Sequence, residues 1–380
     1  MREMRAVSFI GFLVALGIGI QVPALPLFAQ SLGGGAQAVG LVVSAFALMR
    51  CVGGASGGPL VRRLGARRML YTGLYLSAVI NACAGLSQSV SELVVLRSAA
   101  GFGSAMFTVA ATLRVMRMAA PDMRGRASAL YQGAFTTGTV AGPAIGSALV
   151  STSPRTPFFV YAAVMVAAGL LARATLGSPG EDRQTEATPP RHGLTDLAAA
   201  FTSPVYAAAT VTNFALGWTV YGLRMSLIPV FVVEVLHRGA GWVGVGLTAT
   251  ALTQTAALAV AGRLADVWGR RQTVLLGNAL IVAAVMVIAL TPALPTYLVG
   301  MCLMGLGCAA SATGATASVA DVLHGRGGTE VAVFGVMADL GMVVGPVAGG
   351  VLAANAGFET ALLSGVVLLV VATGLTARAR

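Results

Sequence analysis

Twelve apolar stretches, each close to twenty residues long, follow one another along this chain of 380 residues. A helix needs about 20 apolar residues to cross a lipid bilayer. Only 10% of the residues are charged, whereas a soluble domain carries about 25%. We therefore predict an all-α integral membrane protein with twelve transmembrane helices. The predicted spans are 6–29, 37–60, 69–87, 92–113, 127–150, 157–177, 204–233, 241–262, 272–290, 294–319, 329–354 and 358–377.

Residues 38–68 and 242–272 are two copies of one segment, 204 positions apart and aligned without a gap. A repeat at a fixed period indicates a duplicated architecture, and in an apolar chain it is typical of transporters built from two related halves. We predict two pseudo-symmetric six-helix bundles, residues 1–177 and 204–380, joined by a cytoplasmic linker over 178–203. The matched pairs are Gly40 with Gly244, Gly58 with Gly262, Leu60 with Leu264, and Gly65 with Gly269.

The basic residues are all arginines, and their positions predict the orientation in the membrane. Nineteen of the 24 lie at the termini or in alternate loops, whereas the opposite loops hold only Arg155 and Arg238. Cytoplasmic loops carry such an excess of positive charge. We therefore expect a cell-membrane protein with both termini in the cytoplasm, and we assign the net charge of +11 to this bias rather than to nucleic-acid binding.

A second duplicated pattern lies in the fifth and eleventh predicted spans. Glycines four residues apart share one helical face and let two membrane helices approach closely, and the prolines add a kink. This pattern indicates either close packing alone or a role in conformational change. Its residues are Gly138, Gly142, Pro143 and Gly146 in one copy and Gly341, Gly345, Pro346 and Gly349 in the other.

Three motifs resemble those of one transporter family. The loop GRLADVWGRR at 262–271, the run RSAAGFG at 97–103 and the run GTVAGPAIGS at 138–147 are similar to signatures of the major facilitator superfamily. The second and third resemble the motifs of its proton-coupled and exporting members. The resemblance covers nearly the whole chain and implies a twelve-helix transporter of the drug/proton antiporter type.

The two copies of the repeated loop differ in charge. The family's aspartate is replaced by Arg62 in the first copy and kept as Asp266 in the second. An acid near the start of a helix is stabilised by the helix dipole. We therefore expect a charge-swapped cytoplasmic latch, with Arg62 facing Glu330 and Asp266 facing Arg126. Alternatively, Arg62 is one more cytoplasmic positive charge. The latch also includes the paired arginines Arg270 and Arg271.

Two ionisable residues within the predicted spans are candidates for proton coupling. Arg97 has Met301 as its counterpart in the other half, and Asp339 has Thr136. Charged residues inside a membrane segment are costly and mark functional sites by default. A carboxylate at this depth can take up and release a proton as its surroundings change. The alternatives are a structural hydrogen bond for Arg97 and a structural or substrate-binding role for Asp339.

Further polar and aromatic residues fall at the depth expected of a substrate cavity. Aromatic rings there could stack on a flat substrate, although packing in the core explains them equally well. The candidates are Gln21, Arg50, Asn213, Trp218, Tyr221 and Arg224.

These observations predict a secondary active transporter that exports a small apolar or cationic molecule in exchange for protons. A proton-coupled importer of a sugar, metabolite or siderophore is the alternative. We expect no enzyme activity, because the three histidines lie at loops or helix ends and no nucleophile–base cluster is evident. We also expect no cofactor or metal and a monomer, with a small-molecule substrate, protons and the lipid bilayer as its partners.

Overall fold

A computed structural model describes residues 2–118, 124–175, 202–323 and 329–379, and these residues are almost entirely helical. In the helix from 204 to 234, a π-helical segment, Gly217–Leu223, separates the α-helices Pro204–Leu216 and Arg224–Glu234. The helices are α1 Arg2–Ser31, α2 Ala36–Ala55, α3 Gly57–Leu64, α4 Ala66–Gly85, α5 Val90–Met118, α6 Arg124–Val150, α7 Thr156–Thr175, α8 Pro204–Leu216, α9 Arg224–Glu234, α10 Ala240–Val267, α11 Arg270–Leu290, α12 Leu294–Leu323 and α13 Thr329–Arg378.

Each predicted span overlaps one or more of these helices, which confirms the all-α membrane class. Within the described residues, nine helices are long and apolar enough to cross a membrane. The predicted spans 69–87 and 127–150 are not among the nine. The last two spans are joined in α13, which is broken at Gly357, where φ is 85°. The predicted span 37–60 is divided at Ser56, which separates α2 from α3.

The contacts divide the described residues into two compact units. The first unit takes 2–38, 45–118, 124–175 and 239–248, and the second takes 39–44, 202–238, 249–323 and 329–379. Each unit therefore includes a short segment from the opposite part of the sequence. The predicted linker, 178–203, lies outside the described residues except at its last two positions.

The same helix pairs recur inside each unit. In the first unit, α1 packs on α6 and α7, and α4 packs on α5 and α7. In the second unit, the helix from 204 to 234 packs on α13, and α11 packs on α12 and α13. The repeated sequence therefore corresponds to a repeated packing of helices.

One glycine of the repeated loop has a positive φ in both copies. Gly65 ends α3 with a φ of 76°, and its counterpart Gly269 precedes α11 with a φ of 109°. Residues with a Cβ rarely adopt this region of φ, so glycine is the residue that both turns require. The positive φ that both turns require therefore explains why glycine recurs 204 positions apart.

Candidate functional site

In the first unit, a chain of buried polar side chains starts at Arg97 on α5. Its guanidinium Nη1 donates a hydrogen bond to Gln21 Oε1 at 2.7 Å. Gln21 Nε2 donates to Asn81 Oδ1 at 2.6 Å, and Asn81 Nδ2 donates to the carbonyl of Ser77 at 2.7 Å. Helices α1, α4 and α5 are thus linked through one polar network. The structure brings together two residues that the sequence indicated separately, Arg97 and Gln21.

The Arg97 side chain is 6% exposed and lies over the ring of Phe46, with Cζ 4.3 Å from the ring centroid. A cation over an aromatic face is stabilised by the ring quadrupole. Arg97 Nε has no hydrogen-bond partner among the described residues. An arginine at the centre of a membrane span costs about 3 kcal/mol, and the amide and the ring offset part of this cost.

Arg50, another candidate from the sequence, lies on α2 and is partly buried. Its positive charge interacts electrostatically with the hydroxyl groups of Tyr131 and Tyr161. The Tyr161 hydroxyl is also within reach of Arg97. Both intramembrane arginines of the first unit therefore interact electrostatically with the buried Tyr161.

The second unit contains the four remaining predicted cavity residues, and three of them contact side chains or carbonyls of their own unit. Asn213 Nδ2 donates to the carbonyl of Phe334 at 2.7 Å, and Trp218 Nε1 donates to Ser364 Oγ at 3.1 Å. The Tyr221 hydroxyl lies 3.7 Å from Cys308 Sγ. Arg224, at the start of α9, is 6% exposed.

Asp339 lies on α13, nine residues after Glu330, which is about 13 Å along the helix at 1.5 Å per residue. It is partly buried. Among the described residues, no hydrogen bond or ion pair is made by its carboxylate. The preceding residue, Ala338, contacts Gly217 at the start of the π-helical segment. A carboxylate at this depth without a fixed partner can exchange a proton without first breaking an ion pair.

The glycines of the first GxxxGP copy face α1. A methyl group on Gly142 would lie 2.5 Å from the Cα of Gly19. Methyl groups on Gly138 and Gly146 would likewise meet backbone carbonyls of α1. The two helices are therefore in contact through their backbones along this face.

The second copy has the same arrangement against the helix from 204 to 234. A methyl group on Gly345 would lie 2.8 Å from the carbonyl oxygen of Trp218. Gly341 faces the carbonyl of Phe214, and Gly349 faces the side chain of Leu223. Both copies therefore serve as close-packing faces.

The prolines of this motif contact the matched glycines of the repeat. In the first unit, a methyl group on Gly244 would lie 2.7 Å from the carbonyl oxygen of Pro143. In the second unit, Gly40 faces the carbonyl of Pro346 in the same way. In each unit, the proline of the GxxxGP motif therefore packs against a glycine of the repeated segment.

The predicted latch residues of the second repeated loop are organised around Arg270. Its Nη1 lies 3.5 Å from the carboxylate of Asp266, and its Nε lies 2.9 Å from Asp321 Oδ2 on α12. Arg271 donates to the carbonyl of Ala377. Asp321, which was not predicted from the sequence, therefore belongs to the same charge cluster as Asp266.

The other latch residues belong to different units. Arg62 is exposed on α3 in the first unit. Glu330 is buried near the start of α13 in the second unit, and its carbonyl accepts a hydrogen bond from the Tyr206 hydroxyl at 2.7 Å. The side chain of Arg126 lies outside the described residues. The predicted pairs therefore stay a prediction.

Sequence reasoning did not identify Asn81, Phe46 or Thr219. An amide or hydroxyl in an apolar helix has no spacing signal, because such side chains commonly bond to their own helix. Comparison of the halves offers a signal, since the counterpart of Asn81 at the offset of 204 is the apolar Val285.

The comparisons with known proteins agree with this architecture. The family model described as "Major Facilitator Superfamily" matches residues 7–248 and 239–379. The two matches together cover most of the chain and overlap at residues 239–248.

Two curated relatives match about half of the chain. The sequence is 29% identical over 175 residues to "Multidrug resistance protein 1" of Bacillus subtilis, covering 46% of this chain and 45% of the relative. It is 27% identical over 178 residues to "Quinolone resistance protein NorA" of Staphylococcus aureus, covering 47% and 46%. The matched region therefore spans less than half of the length of these relatives.

Solved structures show the same fold. The structure superposes with a TM-score of 0.83 on a bacterial homolog of the human lysosomal transporter Spinster in an inward-facing conformation, at 15% identity, covering 98% of this chain and 95% of the other. The TM-score with the nucleoside transporter NupG is 0.75, at 13% identity, covering 99% and 98%. The chain is thus a multi-pass membrane protein that belongs to the Major Facilitator Superfamily.

Proposed function

We propose that this carrier exports small apolar organic molecules in exchange for protons. The observation that carries the proposal is the buried network of Arg97, Gln21 and Asn81, in which the arginine forms no ion pair with the described residues. The relatives named for multidrug and quinolone resistance support export. Alternating access by two related halves would expose the binding site to each side of the membrane in turn, so that substrate and proton can be taken up from opposite sides.

The buried charges favour an apolar substrate over a cationic one. Arg97 and Arg224 are both 6% exposed. Two like charges 4 Å apart repel by about 4 kcal/mol at an effective dielectric constant of 20. A cation bound close to either guanidinium would meet this repulsion, whereas an apolar molecule would not.

The excess of arginines in alternate loops supports cytoplasmic termini.

We expect Arg97→Met, which introduces the residue of the other half, to uncouple transport. Hydrogen bonds to a charged group contribute roughly 1.5–3 kcal/mol, which corresponds to about a 10- to 150-fold change in an equilibrium constant. The measurement is the collapse of an imposed pH gradient in everted vesicles when a panel of aromatic compounds is added. The rate of collapse should fall at least about tenfold.

The matched control for Arg97→Met is Met301→Leu at the pseudo-symmetric position. Met301 is fully buried, and a swap that conserves volume costs less than about 1.5 kcal/mol, so the rate should be nearly unchanged. An Arg97→Met protein that collapses the gradient at the normal rate would remove Arg97 from the coupling role.

We also propose that Arg62 and Glu330 form one side of a cytoplasmic latch. Arg62 is exposed and Glu330 is buried, and an ion pair with one solvent-exposed partner contributes roughly 1 kcal/mol, or about fivefold in an equilibrium constant. The single reversals Arg62→Glu and Glu330→Arg should each lower the transport rate by up to about fivefold. The double reversal should restore it. A double reversal that is as slow as the slower single variant would refute this pair.

A further inference from the structure

The second unit contains a buried guanidinium whose hydrogen-bonding capacity is not used. Arg224 makes no ion pair or side-chain hydrogen bond with the described residues, and its Nε is buried without a partner. The hydroxyls of Tyr221 and Tyr297 and the thiol of Cys308 are within electrostatic reach of its charge, but among the described residues no carboxylate is paired with it.

Comparison of the two halves explains why the Arg224 side chain has no hydrogen-bond partner among the described residues. Arg224 occupies the position of Gln21 at the offset of 203, and Met301 occupies that of Arg97 at the offset of 204. Each half therefore has one arginine at these two positions. The first half has it at the second position, as Arg97, and the second half has it at the first position, as Arg224. In the first half, the partner is a glutamine that accepts a hydrogen bond from the arginine. In the second half, the partner is methionine.

The second hydrogen-bonding layer is also replaced by hydrocarbon. Asn81 supports Gln21 in the first unit, and its counterpart at the offset of 204 is Val285. Val285 lines a small cavity beside Arg224, together with Ile288 and Met304. The first unit thus provides a hydrogen-bond acceptor for its guanidinium, whereas the second has apolar side chains at the two equivalent positions, Met301 and Val285.

A second unused donor lines the same cavity. Thr219 is 2% exposed, and its hydroxyl has no hydrogen-bond partner among the described residues. Threonines in α-helices commonly donate to the carbonyl four residues earlier, as Thr210 donates to Tyr206 and Thr212 to Ala208. Thr219 lies in the π-helical segment, a feature that is frequent at functional sites. An N–H donor and an O–H donor therefore line one cavity.

We propose that Arg224 and Thr219 bind a carboxylate group of the transported molecule. This inference rests on the proposed function and adds a substrate class to it: apolar molecules that carry one carboxylate. A guanidinium matches the planar geometry of a carboxylate with two parallel hydrogen bonds, and the apolar side chains beside it match the hydrocarbon part of such a molecule in polarity.

The size of the cavity adds a requirement. Its volume of about 10 Å³ is close to the minimum that holds one water molecule. A carboxylate therefore enters only when a lining side chain moves. Met304 is the flexible member of the lining, since methionine is unbranched and adapts its shape readily.

The test uses purified protein in phosphatidylcholine nanodiscs, which contain no lipid carboxylate. The probes are aromatic and alkyl monocarboxylates, each paired with its neutral amide, and calorimetry gives the dissociation constants. At least one carboxylate should bind about tenfold more tightly than its amide, because hydrogen bonds to charged groups are about twice as strong as neutral ones. Arg224→Gln should remove this preference, Arg224→Lys should keep part of it, and Thr219→Val should weaken it severalfold.

A second pair of variants keeps the arginine in place. Val285→Asn offers Arg224 an internal partner, so we expect a higher midpoint of thermal unfolding without ligand and a loss of the carboxylate preference. Val285→Leu, of similar volume, should keep the preference. The site is refuted if no carboxylate binds more tightly than its amide, or if the preference survives in Arg224→Gln or in Val285→Asn.

The outcomes separate this site from the proposed function. Carboxylate binding that depends on Arg224, without any proton exchange, would retain the site and refute antiport. Proton exchange driven only by neutral or cationic compounds, and unchanged in Arg224→Gln, would retain antiport and refute the site.

Discussion

Substituting Asp339 with asparagine is expected to abolish proton flux driven by substrate. Asp339 is the acidic residue placed deepest in a predicted span, and among the described residues its carboxylate makes no hydrogen bond or ion pair. A carboxylate that carries the proton must lose and regain it in each transport cycle, and an amide can do neither. The measurement is internal pH in liposomes after substrate addition, and the expected flux is at the level of empty liposomes.

Two controls separate coupling from folding in the Asp339→Asn protein. Exchange of labelled for unlabelled substrate requires no net proton movement, so it should persist. Glu359→Gln removes an exposed carboxylate from the same helix, α13, and should leave the flux unchanged. An Asp339→Asn protein whose liposomes still change pH on substrate addition would exclude Asp339 as the proton carrier.

Introducing a single methyl group at Gly142 is expected to destabilise the first unit. The added carbon would lie 2.5 Å from the Cα of Gly19, and the contacting atoms belong to the backbone of α1. Backbone atoms cannot turn aside as a side chain does, so the cost should lie near the upper end of the roughly 1–3 kcal/mol that overpacking produces. The expected result for Gly142→Ala is a lower midpoint of thermal unfolding in detergent.

The same helix supplies the matched control for Gly142→Ala. Nothing lies within 4 Å of a methyl group placed on Gly133, so Gly133→Ala should be neutral or slightly stabilising through the higher helix propensity of alanine. Gly345→Ala and Gly335→Ala form the equivalent pair in α13. If Gly142→Ala unfolds at the normal temperature but transports nothing, the motif acts in the conformational cycle and close packing is not its main role.

The fold was predictable from the sequence because hydropathy and the repeat both have a direct physical cause. A bilayer sets the length of each apolar run, and a duplicated half must pack its helices as the other half does. The break at Gly357 falls where an apolar run of the sequence ends. By contrast, the π-helical segment Gly217–Leu223 was not predicted, because its hydrogen-bond register has no counterpart in hydrophobic periodicity.

The candidate site was only partly predictable. Arg97 and Arg224 stand out in any apolar sequence, since a charge in a membrane span is costly. Their surroundings do not, because amides and hydroxyls can bond to their own helix without leaving a pattern. Asn81 and Thr219 gained meaning only when the structure showed that one continues a network and the other has no partner among the described residues.

The most direct test of proton-coupled export is the direction of proton movement. Purified protein is placed in phosphatidylcholine liposomes that contain a pH indicator, under an imposed pH gradient. Aromatic compounds with a carboxylate, no charge or a permanent positive charge are then added one at a time. Entry of the transported compound should coincide with exit of protons. Protons that enter together with the compound would contradict export by antiport and indicate a proton-coupled importer.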